Sequence, residues 1–223
     1  MKQFILPLCL AAILLTACGQ IYEDGPDRDV ATTDMRLSRH SVEMFMDDYL
    51  VLHPIFTPAG AYNAQMFWIS SNTQAVRMEG DTLVGVRPGT SMVKGISVQR
   101  QLQDSCLVNV VHRWAITPAD FQTDMVLYAN AKYNGRAYND SLWVAAFCNG
   151  ELRGLGTPRT HNGTPYTELR IYSNRQQGDK ITFKCYNHVT HEIIPMSQTI
   201  TFDGQAHGNL SSLFELSATS DNL

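Results

Sequence analysis

Cys18 is the first residue whose type and position imply chemistry. It closes the run Leu15-Thr16-Ala17-Cys18-Gly19 at the end of an apolar stretch that begins at Phe4. Lys2 gives a positive start and small residues precede the cysteine, the build of a secretory signal peptide with a thiol where cleavage falls. Spanning a membrane takes about 20 apolar residues, more than this stretch offers. Further along, Glu151 and Arg153 follow the Asn149-Gly150 turn at i and i+2, so a strand sets both on one face. They read as a surface ion pair or as contacts to a bound ligand. His188 and His191 stand at i and i+3 in Asn187-His188-Val189-Thr190-His191. That spacing brings metal ligands together on a helix, whereas this segment reads as a loop between strands. They are expected to be solvated loop histidines, and no metal is expected. The sequence shows no G-x-S-x-G, no Gly-rich phosphate loop and no Ser/His/Asp order. No catalytic residue, enzymatic activity or cofactor is therefore expected.

The elements that must position these residues are bounded by composition. The 223 residues carry 17 Lys and Arg against 21 Asp and Glu, and removal of residues 1–17 takes only Lys2, leaving a net charge of −5. A nucleic-acid partner would want a basic patch, and none is expected. About 205 residues then remain, which suits two domains of about 100 residues each. Beyond Cys9 and Cys18, the thiols Cys106, Cys148 and Cys185 are an odd set and no disulfide scaffold. Cys148 and Cys185 lie in strand-like runs; either they bridge or all three are small buried hydrophobes.

Residues 20–33 are polar, with Glu23, Asp24, Asp27 and Asp29 around a Gly25-Pro26 breaker, and read as a tether. From Met35 onward short apolar runs alternate with turn residues, without sustained helical periodicity. Residues 41–46 and 49–52 are strand-like around the turn former Asp47-Asp48, and further strands cover 66–69, 82–86, 92–98 and 106–111. In the second half, Asn134-Gly135, Asn149-Gly150 and Asn162-Gly163 separate strand-like runs. Asn-Gly accepts the positive φ of tight hairpin turns, so an antiparallel meander is expected. Residues 166–172 and 180–186 alternate polar and apolar side chains, as strands with one wet face do. Residues 198–202 add a last strand and 217–223 a frayed tail. Tyr128, Tyr133, Tyr138, Tyr166, Tyr172 and Trp143 are candidates for a sugar-stacking platform or for core and cross-strand pairs.

Several of these patterns carry resemblances. The Leu15–Gly19 run resembles the lipobox of bacterial lipoproteins, which implies a lipid on Cys18 and a mature chain starting there. The acidic cluster behind it resembles the surface-export signal of Bacteroidetes-type lipoproteins. Trp68-x-Ser70-Ser71-Asn72, Ala75-Val76, Leu83-x-Gly85-Val86-x-Pro88-Gly89-Thr90-Ser91 and Cys106-Leu107-Val108-Asn109-Val110 resemble the bacterial Ig-like group 2 (BIG2) domain over residues 35–112. Trp68 is then expected at the centre of a sandwich, with Gly85 and Gly89 at close-packed or positive-φ positions. Trp114, Met125, Ala145-Ala146-Phe147 with Asn149-Gly150-Glu151-x-Arg153-Gly154, Ile181-Thr182-Phe183-Lys184 with Tyr186, and Ile200-Thr201-Phe202 resemble a β-rich domain recurrent in Bacteroidetes surface proteins. Asp81-Thr82-Leu83 and Asp140-Ser141-Leu142 resemble the Asp-Ser/Thr-aliphatic acceptor for O-glycosylation in that group.

Together these imply an all-β chain. Its expected parts are a signal peptide (1–17), a lipidated acidic tether (18–34), two consecutive Ig-like β-sandwich domains (35–112 and 113–216) and a tail (217–223). The implied role is a non-catalytic binding or adhesion module, lipid-anchored in the outer membrane and facing the exterior, with a glycan or protein ligand. The alternative is a structural accessory subunit of an outer-membrane assembly for glycan uptake, fimbriae or secretion.

Overall fold

Turn chemistry and alternating apolar side chains send the chain through seventeen strands among the residues that the computed structural model describes, 32–59, 65–137 and 142–219. Cys18, the acidic tether, Tyr138 and Asp140-Ser141 lie outside these residues. The first nine strands are β1 (Asp34–Leu37), β2 (Ser41–Phe45), β3 (Tyr49–Val51), β4 (Pro54–Thr57), β5 (Met66–Ser70), β6 (Val76–Glu79), β7 (Thr82–Gly85), β8 (Gly89–Ser97) and β9 (Gln103–Val111). They form a four-stranded sheet β2-β9-β8-β5, a three-stranded sheet β3-β7-β6 and the pair β1-β4. The inward residues, among them Leu37, Met44, Leu52, Leu83, Val93 and Val108, are fully buried in one apolar core. Asp47 takes the turn expected of it, at φ 68°.

Trp68 departs from expectation: it is half-buried on edge strand β5 and packs at the margin of this core. Trp68 sits on the last strand of its sheet, so its inward-facing ring is covered by the sheet from one side only. Its ring lies over Gly95, where a Cβ would stand 2.8 Å from Trp68 Cζ3. Aliphatic side chains from both sheets fill the centre instead.

The second set is β10 (Thr123–Tyr133), β11 (Arg136–Ala137), β12 (Leu142–Cys148), β13 (Glu151–His161), β14 (Thr164–Ser173), β15 (Lys180–Asn187), β16 (Glu192–Thr201) and β17 (Phe214–Ala218). The order is β11-β10-β14-β13-β12-β15-β16-β17, and β17 also pairs in parallel with β10, so the ladder returns on itself around a second core. Closure removes free edges, which are otherwise sites of unwanted pairing. All three Asn-Gly turns hold positive φ at both residues: 48° and 77°, 51° and 83°, 48° and 78°. β13 makes the corner, since Glu151–Leu155 pairs with β12 and Gly156–His161 with β14.

Two sequence expectations change here. Ser217 and Ala218 end β17 rather than a frayed tail; Leu216 and Ala218 point into the core, which holds the strand in place. Cys148 and Cys185 are free and buried, as is Cys106. Val144 stands opposite Cys185, so Cys148 is four positions further along β12, roughly 13 Å at about 3.3 Å per residue. A disulfide needs Cα atoms about 4.4–6.8 Å apart. Burial pushes the Cys106 and Cys185 thiols up to about 12, so both stay protonated small hydrophobes.

Candidate functional site

Where the two cores meet, β2 and its following turn lie against the outer face of β15 and β16. Phe45, Tyr186 and Ile193 are buried there, with Val111 and Trp114 packed on them. Phe45 meets Trp114 edge-on at 5.1 Å and Tyr186 at 4.7 Å, and Trp114 continues to Phe147 at 5.7 Å. Aromatic pairs in this range add to what their buried area contributes. This contact explains why β15 loses its expected wet face at its end: Cys185 faces the core, while Tyr186 faces outward and is covered by Phe45.

Polar groups thread the same seam. The Tyr186 hydroxyl donates to Asp48 Oδ2 at 2.7 Å, and Arg113 Nη2 donates to Asp48 Oδ1 at 2.7 Å. The single hydroxyl proton of Tyr186 is used in the bond to the carboxylate. The Nδ1 of His191, 3.0 Å from the Tyr186 hydroxyl oxygen, therefore serves as donor to it. Burial and then the neighbouring Asp48 hold the Tyr186 hydroxyl well above the usual phenol range. Two further ion pairs cross the seam. Arg39 Nε and Nη2 donate to the two oxygens of Glu192 at 2.7 and 3.2 Å, and Lys184 Nζ donates to both oxygens of Glu43 at 2.9 and 2.6 Å. Glu192 is almost wholly buried, and its bonds to Arg39 raise that guanidinium further above its ordinary value. Asp48 was legible only as a turn former; its backbone placement follows from Gly85, whose missing Cβ would lie 2.7 Å from Phe45 O.

His188 and His191 do lie in the turn between β15 and β16, but their rings are half-buried rather than solvated. The Asn187 side chain accepts the Val189 and Thr190 amides at 2.8 and 3.4 Å, fixing the turn between β15 and β16. His188 is then set edge-on to Trp143 at 4.3 Å and to Tyr186 at 4.9 Å, and desolvation followed by the charges of His191 and Arg113 lowers its pKa. His191 lies against Tyr49 at 4.6 Å. A row of rings thus runs Trp143, His188, Tyr186, His191, Tyr49, with Tyr49 57 % and Trp143 42 % exposed at its ends. Among the described residues no three His, Cys, Asp or Glu come together as a metal site.

Glu151 and Arg153 do share a face and pair, with Arg153 Nη2 3.0 Å from Glu151 Oε2. Arg153 also donates to Tyr172 O at 3.3 Å and Asp179 Oδ2 at 3.4 Å, and lies over the Phe121 ring. Asp179 in turn accepts from Ser173 at 2.7 Å. The guanidinium thus clasps β13 to β14 and the approach to β15, and only Glu151 is open to solvent. The other aromatic candidates scatter: Tyr128 pairs with Tyr166, Tyr172 stacks on Phe121, and Tyr133 packs against the second core. Of these, only Trp143 joins the junction row. In Asp81-Thr82-Leu83 the turn residue Asp81 is exposed and Leu83 is fully buried.

No family model matches the chain, and no curated protein matches it, so the BIG2-like pattern over 35–112 stands on its motif residues. Among solved structures, domains 5–6 of the S-layer protein SbsC are similar at 10 % identity and TM-score 0.32, covering 80 % of this chain and 99 % of that one. Extracellular cadherin domains 1–4 of protocadherin gamma B7 follow at 13 % and 0.28, covering 76 % and 49 %. SGBP-B of the Bacteroides ovatus mixed-linkage glucan utilization locus, solved with a mixed-linkage heptasaccharide, stands at 11 % and 0.24, covering 90 % and 46 %. At these scores the likeness extends no further than a β-rich course of the chain.

Proposed function

We propose that this chain is a surface-exposed outer-membrane lipoprotein, anchored through Cys18, whose two β-domains (35–112 and 113–216) bind a glycan or protein ligand without catalysing a reaction. The observation that carries the binding reading is the ring row at the junction. Tyr49 and Trp143 face solvent from a support in which Asp48, Tyr186, Arg113 and His191 are already bonded to one another. Such a support holds exposed rings still, and preorganised aromatic side chains bind at low entropic cost. Within it the Tyr186 hydroxyl is held protonated by burial and by Asp48. Residues 20–223 are expected to show saturable binding on a glycan array or a host-protein array and to leave the ligand intact. Silence on both arrays overturns the reading.

The alternative, an accessory subunit docking onto a larger outer-membrane assembly, is favoured by a different face. Phe67 and Ile69 on β5, Met92 on β8 and Leu107 on β9 are all exposed on the outer side of the four-stranded sheet, and Met92 stands directly opposite Leu107. Contiguous exposed apolar side chains mark interaction surfaces. This reading requires a stoichiometric partner after cross-linking in membranes; recovery of the chain alone counts against it.

A further inference from the structure

We propose that the cleft between β3 and the β15–β16 turn is a subsite for a neutral carbohydrate, with one sugar ring stacked on Tyr49. This rests on the binding reading above and gives it a place and a ligand class. The cleft measures about 270 Å³, near the small end of the about 300–1,000 Å³ typical of small-molecule sites. Ser38, Arg39, Tyr49, His53, Thr190 and Glu192 are among its lining residues. Tyr49 leans on His191 with 34° between the ring planes, which fixes its orientation while more than half of the residue stays open to solvent.

The charges of the cleft select the ligand class. Its guanidinium and its carboxylate, Arg39 and Glu192, are spent on each other in a two-pronged pair, and Arg39 Nη1 donates to Ser38 O at 3.0 Å. An ionic ligand would have to break that pair; a neutral one keeps it. What remains is an aromatic face with hydroxyls and imidazoles at its rim. The Thr190 hydroxyl oxygen is buried and has no hydrogen-bond partner among the described residues. Buried polar groups are normally satisfied, so turning this hydroxyl toward a ligand forfeits no existing bond. His53, an exposed residue, also lines the cleft. A pyranose offers the complement, with C–H groups for the Tyr49 ring and hydroxyls that donate and accept. The alternative occupant, an extended peptide, would use the edge of β3 and pairs through its backbone rather than through these side chains.

The test uses the full chain in detergent, with native affinity gels containing starch, β-glucan, xylan or mannan and an array of neutral glycans. Binding of at least one neutral saccharide is expected. Tyr49→Ala should weaken it at least tenfold, Tyr49→Phe should bind like the parent, and Thr190→Val should weaken it severalfold. The exposure of Tyr49 keeps the fold out of the comparison, and unchanged thermal unfolding checks that. Saccharide binding indifferent to Tyr49→Ala overturns the site and leaves the binding module standing. Binding of proteins or peptides alone overturns the ligand class. Absence of any ligand overturns both readings together.

Discussion

Phe45→Ala is expected to lower stability by about 3–5 kcal/mol, the range for truncating a fully buried aromatic side chain, and to uncouple the two halves. Phe45 is 0 % exposed, and its ring touches Trp114 from the linker and Tyr186 from β15, so one truncation opens both contacts. Cores of this kind are close-packed, and the neighbours cannot collapse into the gap without moving β2. Around the cavity, Asp48 and Tyr186 would meet water, weakening the polar links that depend on their shielding. The tryptophans give the readout. Trp68 packs at the margin of the first core, Trp143 stands on β12 of the second sheet at the outer end of the ring row, and Trp114 lies in the seam. In denaturant the parent should lose all three signals together, and Phe45→Ala should separate Trp68 from Trp143. A single transition with an unmoved midpoint would show that the seam contributes nothing to cooperativity.

Gly154→Ala should be the most damaging glycine substitution at the corner of the second sheet. A Cβ there would stand 2.2 Å from the Arg170 carbonyl oxygen and 3.1 Å from its carbon, both backbone atoms that no side-chain rotation can move. Gly154 sits where β13 turns from β12 toward β14, beside the register shift at Ala146 and Phe147. Overpacking typically costs about 1–3 kcal/mol, and a backbone clash at the corner belongs at the top of that range or above it. Gly150→Ala is the control. It has nothing within 4 Å but holds φ 83°, so it pays only the left-handed penalty of about 1–2 kcal/mol. Thermal unfolding should rank the parent above Gly150→Ala and that above Gly154→Ala. The reverse order for the two variants would mean that β13 and β14 can part without cost.

These two positions also mark the limits of legibility in the sequence. The hairpins were readable because Asn-Gly turns depend on the φ preferences of two adjacent residues. The closing strand β17 was not, because its parallel partner β10 lies some eighty residues earlier and no local pattern announces the pairing. His188 and His191 read as solvated, since nothing within five residues tells that Trp143 and Tyr49 will close over them. Asp48 read as turn chemistry, and it does follow the Asp47 turn. Its bond to Tyr186 spans 138 residues and exists only once β2 rests on β15. Glu151 and Arg153 were readable as a pair through strand periodicity, while the hold of Arg153 on Asp179 and Tyr172 depended on the corner.

From the sequence alone come the all-β class and the positions of most turns and strands. Both rest on periodicity or dihedral preference, interactions that decay within a few residues. Tertiary structure alone decided that the second ladder closes, that three thiols stay apart, and that Asp48, Tyr186 and Glu192 become buried in a seam with Tyr49 left exposed beside it. Burial of a polar side chain is set by what arrives from distant parts of the chain, and that arrival has no local signature.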